Sequence, residues 1–242
     1  MNIQTLKCLA KSMPHRLIGL SLNLLLPGAG LAYLGSVKGA LAFQAVFYLL
    51  LAFLTLTRLI LHPIGLITLI CTVPLLCLGS AWYGLASSPS TLKMRERLIR
   101  LLGFSLLSIL SLGLGLANKQ SLLGIQVYFV PSPSMTPTLN PGDFILVDTW
   151  AYSTHPPVTG DIVVFQQADD FAVVKRCANW PGTNSGIQDN RLYVLGDNPR
   201  LSMDSRRIGG IDLGKINGKV RLKLVTWQPE SQHWQWKMVG VH

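Results

Sequence analysis

Three long apolar runs in the first half of the chain, Leu41 to His62, Ile64 to Ala86 and Leu98 to Ala117, constrain its fold more than any other feature. A helix needs about 20 mostly apolar residues to cross the hydrocarbon core of a bilayer. Each run has that length. The chain is 49% hydrophobic and 13% charged over 242 residues, with a mean hydropathy of +0.39, too apolar for an ordinary soluble protein. It reads as a membrane protein.

A formal net charge of +10 could suggest nucleic acid, but the distribution points elsewhere. Residues 1–130 carry ten Lys or Arg and one acid, Glu96; residues 131–242 carry eleven and ten. Basic residues flanking apolar segments mark the cytoplasmic side of a membrane protein, and no nucleic-acid partner is expected. The loop "STLKMRERLIR", with Lys93, Arg95, Arg97 and Arg100, is therefore expected inside the cell. The exit of the third run, and all that follows, is then expected outside.

A fourth stretch, Leu17 to Gly35, is apolar but holds Pro27-Gly28-Ala29-Gly30 at its centre and basic residues at both flanks. Proline and glycine disfavour an uninterrupted helix. We expect a re-entrant or interfacial hairpin followed by three spans, with four spans as the alternative. Arg58 and His62 read as side chains snorkelling to the interface. A cleaved leader is not expected, because a Pro-Gly break and further spans follow.

From Asp143 the pattern changes to short β-branched runs such as "DFILVDTWAY", "GDIVVFQQ" and "DFAVVKRCANW". Turn-prone pairs separate them, among them Pro141-Gly142, Pro181-Gly182 and Asn217-Gly218. The expected architecture is an α-helical membrane region of three or four spans over residues 1–127, then a mostly-β domain over residues 128–242. The four cysteines lack metal or redox spacing, and Cys177 is expected to pack as a core thiol. Trp150, Tyr152 and Trp180 suit either core packing or the outer lipid interface.

Few residues offer catalysis. His155 and His233 stand without partners at motif spacing and read as surface residues, and neither a G-x-S-x-G elbow nor an H-E-x-x-H is present. A serine can also be activated by a lysine. Prolines 131, 133 and 137 in "VPSPSMTPTL" restrict φ and hold the chain extended around Ser134. Taken alone, that is also the pattern of a stiff linker.

Four segments in order, "PSPSMTPTLNPGDFILVDTWAY", "GDIVVF", "VVKR…PG" and "LGDNPRLSMDSRRIG", resemble the conserved boxes of type I signal peptidases, membrane-anchored Ser/Lys endopeptidases of bacterial type. The resemblance covers about residues 128–225. It implies a mostly-β extracytoplasmic catalytic domain of signal-peptidase type in a multi-pass protein of the cytoplasmic (inner) membrane. Ser134 matches the nucleophile, Lys175 the general base, and Ser132 the hydroxyl of the oxyanion hole. Ser202 matches a serine that hydrogen-bonds the lysine amine. Asp204 and Arg206 match a supporting pair, and Gly196, Asp197 and Asn198 match the "GDN" before it. Val130, Pro131, Met135, Leu139 and Val174 match positions lining pockets for small side chains at the first and third residues before the cut. The implied partners are signal peptides of exported precursors, membrane lipid and the secretion machinery; no metal or organic cofactor is implied.

An unperturbed lysine, with a pKa of about 10.4, stays charged at neutral pH until burial disfavours the ammonium. Strand alternation puts Lys175 and Arg176 on opposite faces, so one can be buried while the other stays wet. This chain departs from the family at Pro199, Arg200 and Leu201 after "GDN", at Thr183, and at Arg207-Ile208. The short gap between Lys175 and Gly196 leaves no room for a large accessory domain. Two alternatives stay open: a specialised peptidase of the same family that matures or cyclises one pilin in a conjugation system, and a non-catalytic membrane scaffold that binds signal peptides.

Overall fold

The computed structural model describes residues 3–87, 92–167, 171–228 and 233–241. The chain divides into two compact units, Met1–Ile60 with Ile64–Asn118, and Leu61–Pro63 with Lys119–His242.

The first unit is helical: α1 (Ile3–Leu25), α2 (Ala29–Leu34), α3 (Val37–Leu56), α4 (Pro63–Ala86) and α5 (Met94–Ala117). By length and composition α3, α4 and α5 can cross a membrane. The first of these ends earlier than its apolar run suggested, because Arg58 takes a positive φ of 58° and Pro63 opens the next helix, a position that suits its missing N–H. The stretch from Leu17 to Gly35 is interrupted, as its composition implied. Gly28, at φ 91°, turns the chain between α1 and α2. Asn23, fully buried, accepts from Gly30 N at 2.9 Å and Leu31 N at 3.3 Å, satisfying first-turn donors of α2 that have no helical partner. Its amide donates to Ser80 O on α4 at 3.1 Å. A Cβ on Gly30 would lie 1.8 Å from Gly19 O, so only glycine permits the approach of α1 and α2.

Basic side chains of this unit hold helix ends. Arg16 donates to Leu85 O and Ser87 O, Arg97 to Tyr33 O and Arg100 to Gly35 O. Cations at C-terminal carbonyls also oppose the helix dipole.

The second unit opens with α6 (Lys119–Leu122) and builds a seven-stranded sheet. Its strands are β1 (Ile125–Phe129), β2 (Phe144–Asp148), β3 (Ile162–Gln166), β4 (Ala172–Cys177), β7 (Val194–Leu195), β9 (Ile216–Gln228) and β10 (His233–Gly240). The order is β1-β2-β9-β3-β4-β7, with β10 also on β9. A smaller sheet joins β5 (Ile187–Gln188), β6 (Arg191–Leu192) and β8 (Ile211–Asp212). Because β1 pairs with β2 from Ile125 to Phe129, the β unit takes in residues 119–127, which the sequence reading had assigned to the membrane region.

β3 shows why the unit holds together. Ile162 and Val164 enter one core with Val130, Met135, Leu139, Ile145, Val147 and Val220. Val163 and Phe165 enter another, with Cys177, Leu192 and Val194. Alternation along a strand buried on both faces gives an unbroken apolar run, as in "IVVF". Burial pushes the Cys177 thiol up to about 12, aided by the Asp161 charge, so it packs as a hydrophobe. Tyr152 packs against this core and donates to Asp161, and Trp180 packs against Tyr193 with the rings tilted at 43°. His155 is exposed; the side chain of His233 lies outside the described ones.

Candidate active site

Ser134 lies in a single 3-10 turn, Pro133–Met135, with proline at its start and Ser132 extended before it. Pro133 fixes φ where the turn begins. Asn198 N donates to Ser134 O at 3.0 Å, tying the turn to the segment after β7. The chain then closes on itself: Gly142 N donates to Val130 O and Val130 N to Asp143 O. Lys223 of β9 seals this loop by reaching Asp143 Oδ2 at 3.0 Å and Thr138 O at 3.1 Å.

Lys175 lies on β4, opposite Val163 of β3, and is 3% exposed. Its Nζ sits 2.8 Å from Ser134 Oγ and 3.0 Å from Val174 O. Burial lowers its pKa, with the Asp204 charge opposing in part. Among the described residues no carboxylate lies within ion-pair distance of it. Its ammonium is therefore stabilised mainly by neutral groups, the condition in which a lysine loses its proton most readily. Ser132 Oγ donates to Ser134 Oγ at 3.1 Å.

Neighbouring groups fix these two side chains. Arg176 grips Asp197 with Nε and Nη2 at 2.9 and 2.8 Å, and Thr138 Oγ1 donates to Asp197 Oδ2 at 2.6 Å. Asp197 thus binds the strand that bears Lys175 to the loop that follows Ser134. Asp204, fully buried, caps α7 (Ser205–Ile208), accepts from Arg206 at 2.9 and 2.6 Å and takes Gly196 N at 2.9 Å. Burial alone would raise its pKa, but the Arg206 guanidinium and the Gly196 N–H together hold it well below the usual carboxylate range. Ser205 Oγ accepts from Val194 N at 2.9 Å.

Ser202 departs from the expectation that it hydrogen-bonds the lysine. Its Oγ is buried without a hydrogen-bond partner, although it lies close enough to Asp204 to help hold that carboxylate ionised. The hydroxyl is wedged against Gly196, where a Cβ would meet it at 2.2 Å and Ser134 O at 2.6 Å. Of the five residues expected to line the small-residue pockets, Pro131 is exposed and Val174 half-buried. Val130, Met135 and Leu139 are core residues with 3%, 1% and 0% exposure; in this conformation they lie beneath the surface.

Sequence reading did not single out Thr138, Asp143, Ser205 or Lys223. Strand alternation puts Arg176 on the face opposite Lys175, but Asp197 lies 21 positions further on, with no spacing signal to pair them. Among the described residues, no group of three or more His, Cys, Asp or Glu could hold a metal ion.

The family described as "Signal peptidase, peptidase S26" matches residues 104–194, a range that takes in Ser132, Ser134 and Lys175 and stops before Gly196. Signal peptidase I of Bacillus caldolyticus is 33% identical over 104 residues, 39% of this chain and 57% of that protein. Signal peptidase I of Pseudomonas fluorescens is 28% identical over 143 residues, 49% of each chain. The chain thus spans about half the length of these two relatives. Mitochondrial inner membrane protease subunit 1 of Schizosaccharomyces pombe is 35% identical over 113 residues, 39% of this chain and 70% of that protein. Likeness at that level through most of a relative is kinship, and the chain belongs to the S26 signal peptidase family.

Proposed function

We propose that this membrane protein is a serine endopeptidase that removes signal peptides from exported precursors with a Ser134/Lys175 dyad. The observation that carries this reading is the 2.8 Å approach of Ser134 Oγ to the amine of a lysine that is 3% exposed and depressed in pKa. A neutral Lys175 accepts the Ser134 proton as Oγ attacks the scissile carbonyl carbon. The tetrahedral oxyanion takes hydrogen bonds from the Ser132 hydroxyl and the Ser134 N–H. Lys175 then passes its proton to the departing amine, leaving an acyl-serine, and next deprotonates the water that hydrolyses it.

The substrate lies as an extended strand against the protein's strand edges. Pro131 and Val174 form the surface of the small-residue pockets, with Val130, Met135 and Leu139 behind them. The basic loop between α4 and α5 faces the cytoplasm, and the β unit lies on the outer face of the cytoplasmic membrane. Lipid and the secretion machinery are the accompanying partners.

The test is cleavage of a precursor bearing an Ala-x-Ala site by the purified protein in detergent, beside folded Ser134→Ala and Lys175→Ala variants. Cleavage at the expected bond by the parent alone is the expected result. Equal cleavage by all three would assign the activity to other residues. No cleavage across a broad precursor panel would favour the one-pilin peptidase or the binding scaffold.

A further inference from the structure

The β unit contains a cavity of about 420 Å³ that the dyad does not use. Gln120, Gln126, Tyr128, Thr149, Gln166, Ala172 and Asn217 line it. Six of these seven side chains are polar and uncharged. Gln126 Oε1 is buried at its wall without a hydrogen-bond partner among the described residues, an arrangement that is unfavourable in a folded protein. Asn217 donates to the Tyr128 hydroxyl at a long 3.4 Å. Such a lining suits a ligand that carries hydrogen-bond donors and acceptors rather than an apolar one.

The topology indicates which ligand. Four antiparallel pairings separate β1 from β4 in the sheet, so the two strands run the same way. β1 lies at the end of the sheet, and β4 meets β7 only through Arg176 and Cys177, which leaves one edge of Ala172 to Val174 unpaired in the sheet. Unpaired strand edges receive extended peptides. β1 leads through Val130 and Pro131 to Ser134, and β4 leads through Val174 to Lys175, while the cavity takes Tyr128 from one strand and Ala172 from the other.

At about 3.3 Å per extended residue, Ala172 lies about 10 Å before Lys175, and Tyr128 lies at most about 20 Å before Ser134, whose 3-10 turn shortens the path. The cavity therefore continues the line of the small-residue pockets, away from the dyad. An extended substrate reaches it with the residues about four to six positions before the cut.

We propose that this cavity is a distal subsite that selects a polar, uncharged side chain, glutamine, asparagine or serine, about four to six residues upstream of the scissile bond. The proposal rests on the Ser134/Lys175 reading for the direction of the substrate. Among the described residues no charged side chain lines the cavity, which disfavours an ion there. Amide side chains offer both donors and acceptors, and Gln126 gains the partner it lacks after a small rotation.

The test uses the full chain in detergent as Ser134→Ala, so that no peptide is cut, titrated with labelled peptides that differ only by Gln or Leu at positions four, five or six before an Ala-x-Ala site. Tighter binding of the Gln peptide at one position by about fivefold to tenfold is expected, as one or two net hydrogen bonds give. Gln126→Leu with Asn217→Leu should bring that ratio to within about twofold. Gln126→Met, close in size, is the second variant should the pair fail to fold. Equal binding at all three positions, or a preference that survives the substitutions, would overturn the subsite. Cleavage of the same peptides by protein with Ser134 intact separates the two claims. Cleavage without preference refutes the cavity and leaves the dyad, whereas preference in binding without cleavage refutes the dyad and leaves the cavity.

Discussion

The helical unit and the β unit bury polar groups in different ways. In the helical unit most buried polar side chains address backbone: Asn23 caps α2, Arg97 reaches Tyr33 O, and Ser80 and Ser108 reach Cys77 O and Phe104 O. A helix leaves its terminal carbonyls and N–H groups without partners, and in an apolar unit side chains must satisfy them. In the β unit the buried carboxylates address cations, Asp143 with Lys223, Asp148 with Arg221, Asp161 with Lys219 and Asp204 with Arg206. Lys175 is the exception, a buried amine whose near partners are a hydroxyl and a carbonyl. The paired acids hold the framework; the lysine without a carboxylate in contact is the group that the proposed mechanism uses.

That contrast can be broken at several points. The largest effect belongs to Ser134→Ala and Lys175→Arg, each of which should lower kcat for precursor cleavage by at least about 1,000-fold, because an arginine cannot give up its proton at working pH. Lys175→Met should lose the same activity while the unfolding midpoint stays level or rises, since an apolar side chain suits an apolar site better than an ammonium. A large loss of stability in Lys175→Met would show the amine to be a framework group like the others. Gly196→Ala should come next, with kcat down about 100-fold, because the added methyl displaces Ser134 O from its place.

Lys223→Met should cost about 3–5 kcal/mol in denaturant unfolding, since it leaves the Asp143 charge fully buried without its cation. Asn23→Leu should cost the helical unit about 1–3 kcal/mol by orphaning Gly30 N and Leu31 N. If Asn23→Leu proved neutral, backbone satisfaction would not be what holds α1, α2 and α4 together. The smallest effect concerns pH. The Asp204 charge raises the Lys175 pKa, so Asp204→Asn should move the rising limb of the pH–rate profile to lower pH.

The pKa of Lys175 also couples to folding. Its folded value is depressed, so between that value and about 10.4 the unfolded chain binds more protons than the folded one. Stability should therefore rise with pH across that window and fall as pH drops through the folded value. Asp204 is depressed as well; its contribution is present above the usual carboxylate range and is lost in acid as pH falls through its folded value.

Local pattern carried much of this account. Apolar length marked the spans, and α3, α4 and α5 overlap the three runs closely because length is what a bilayer demands. The Pro-Gly break forecast the interruption after α1, and two-residue alternation separated Lys175 from Arg176. Other features depend on register between distant segments, which local pattern does not encode. Asp143 meets Lys223 only because β2 and β9 pair with two register shifts. The cavity gathers Gln120, Gln126, Gln166 and Asn217 from four separate segments, none within a motif. Ser202 was placed by resemblance, but its hydroxyl follows the close approach of Gly196, which the sequence marks only as one more glycine.

The most direct test of the central claim is the titration of the Lys175 amine itself, followed by the NMR signal of a carbon-13 label next to Nζ in protein whose other lysine signals are assigned by difference with Lys175→Arg. A pKa clearly below about 10.4, matching the rising limb of the cleavage rate, is the predicted result. An amine that titrates at or above that value would contradict it, because Ser134 would then face an ammonium at neutral pH and have no base to receive its proton.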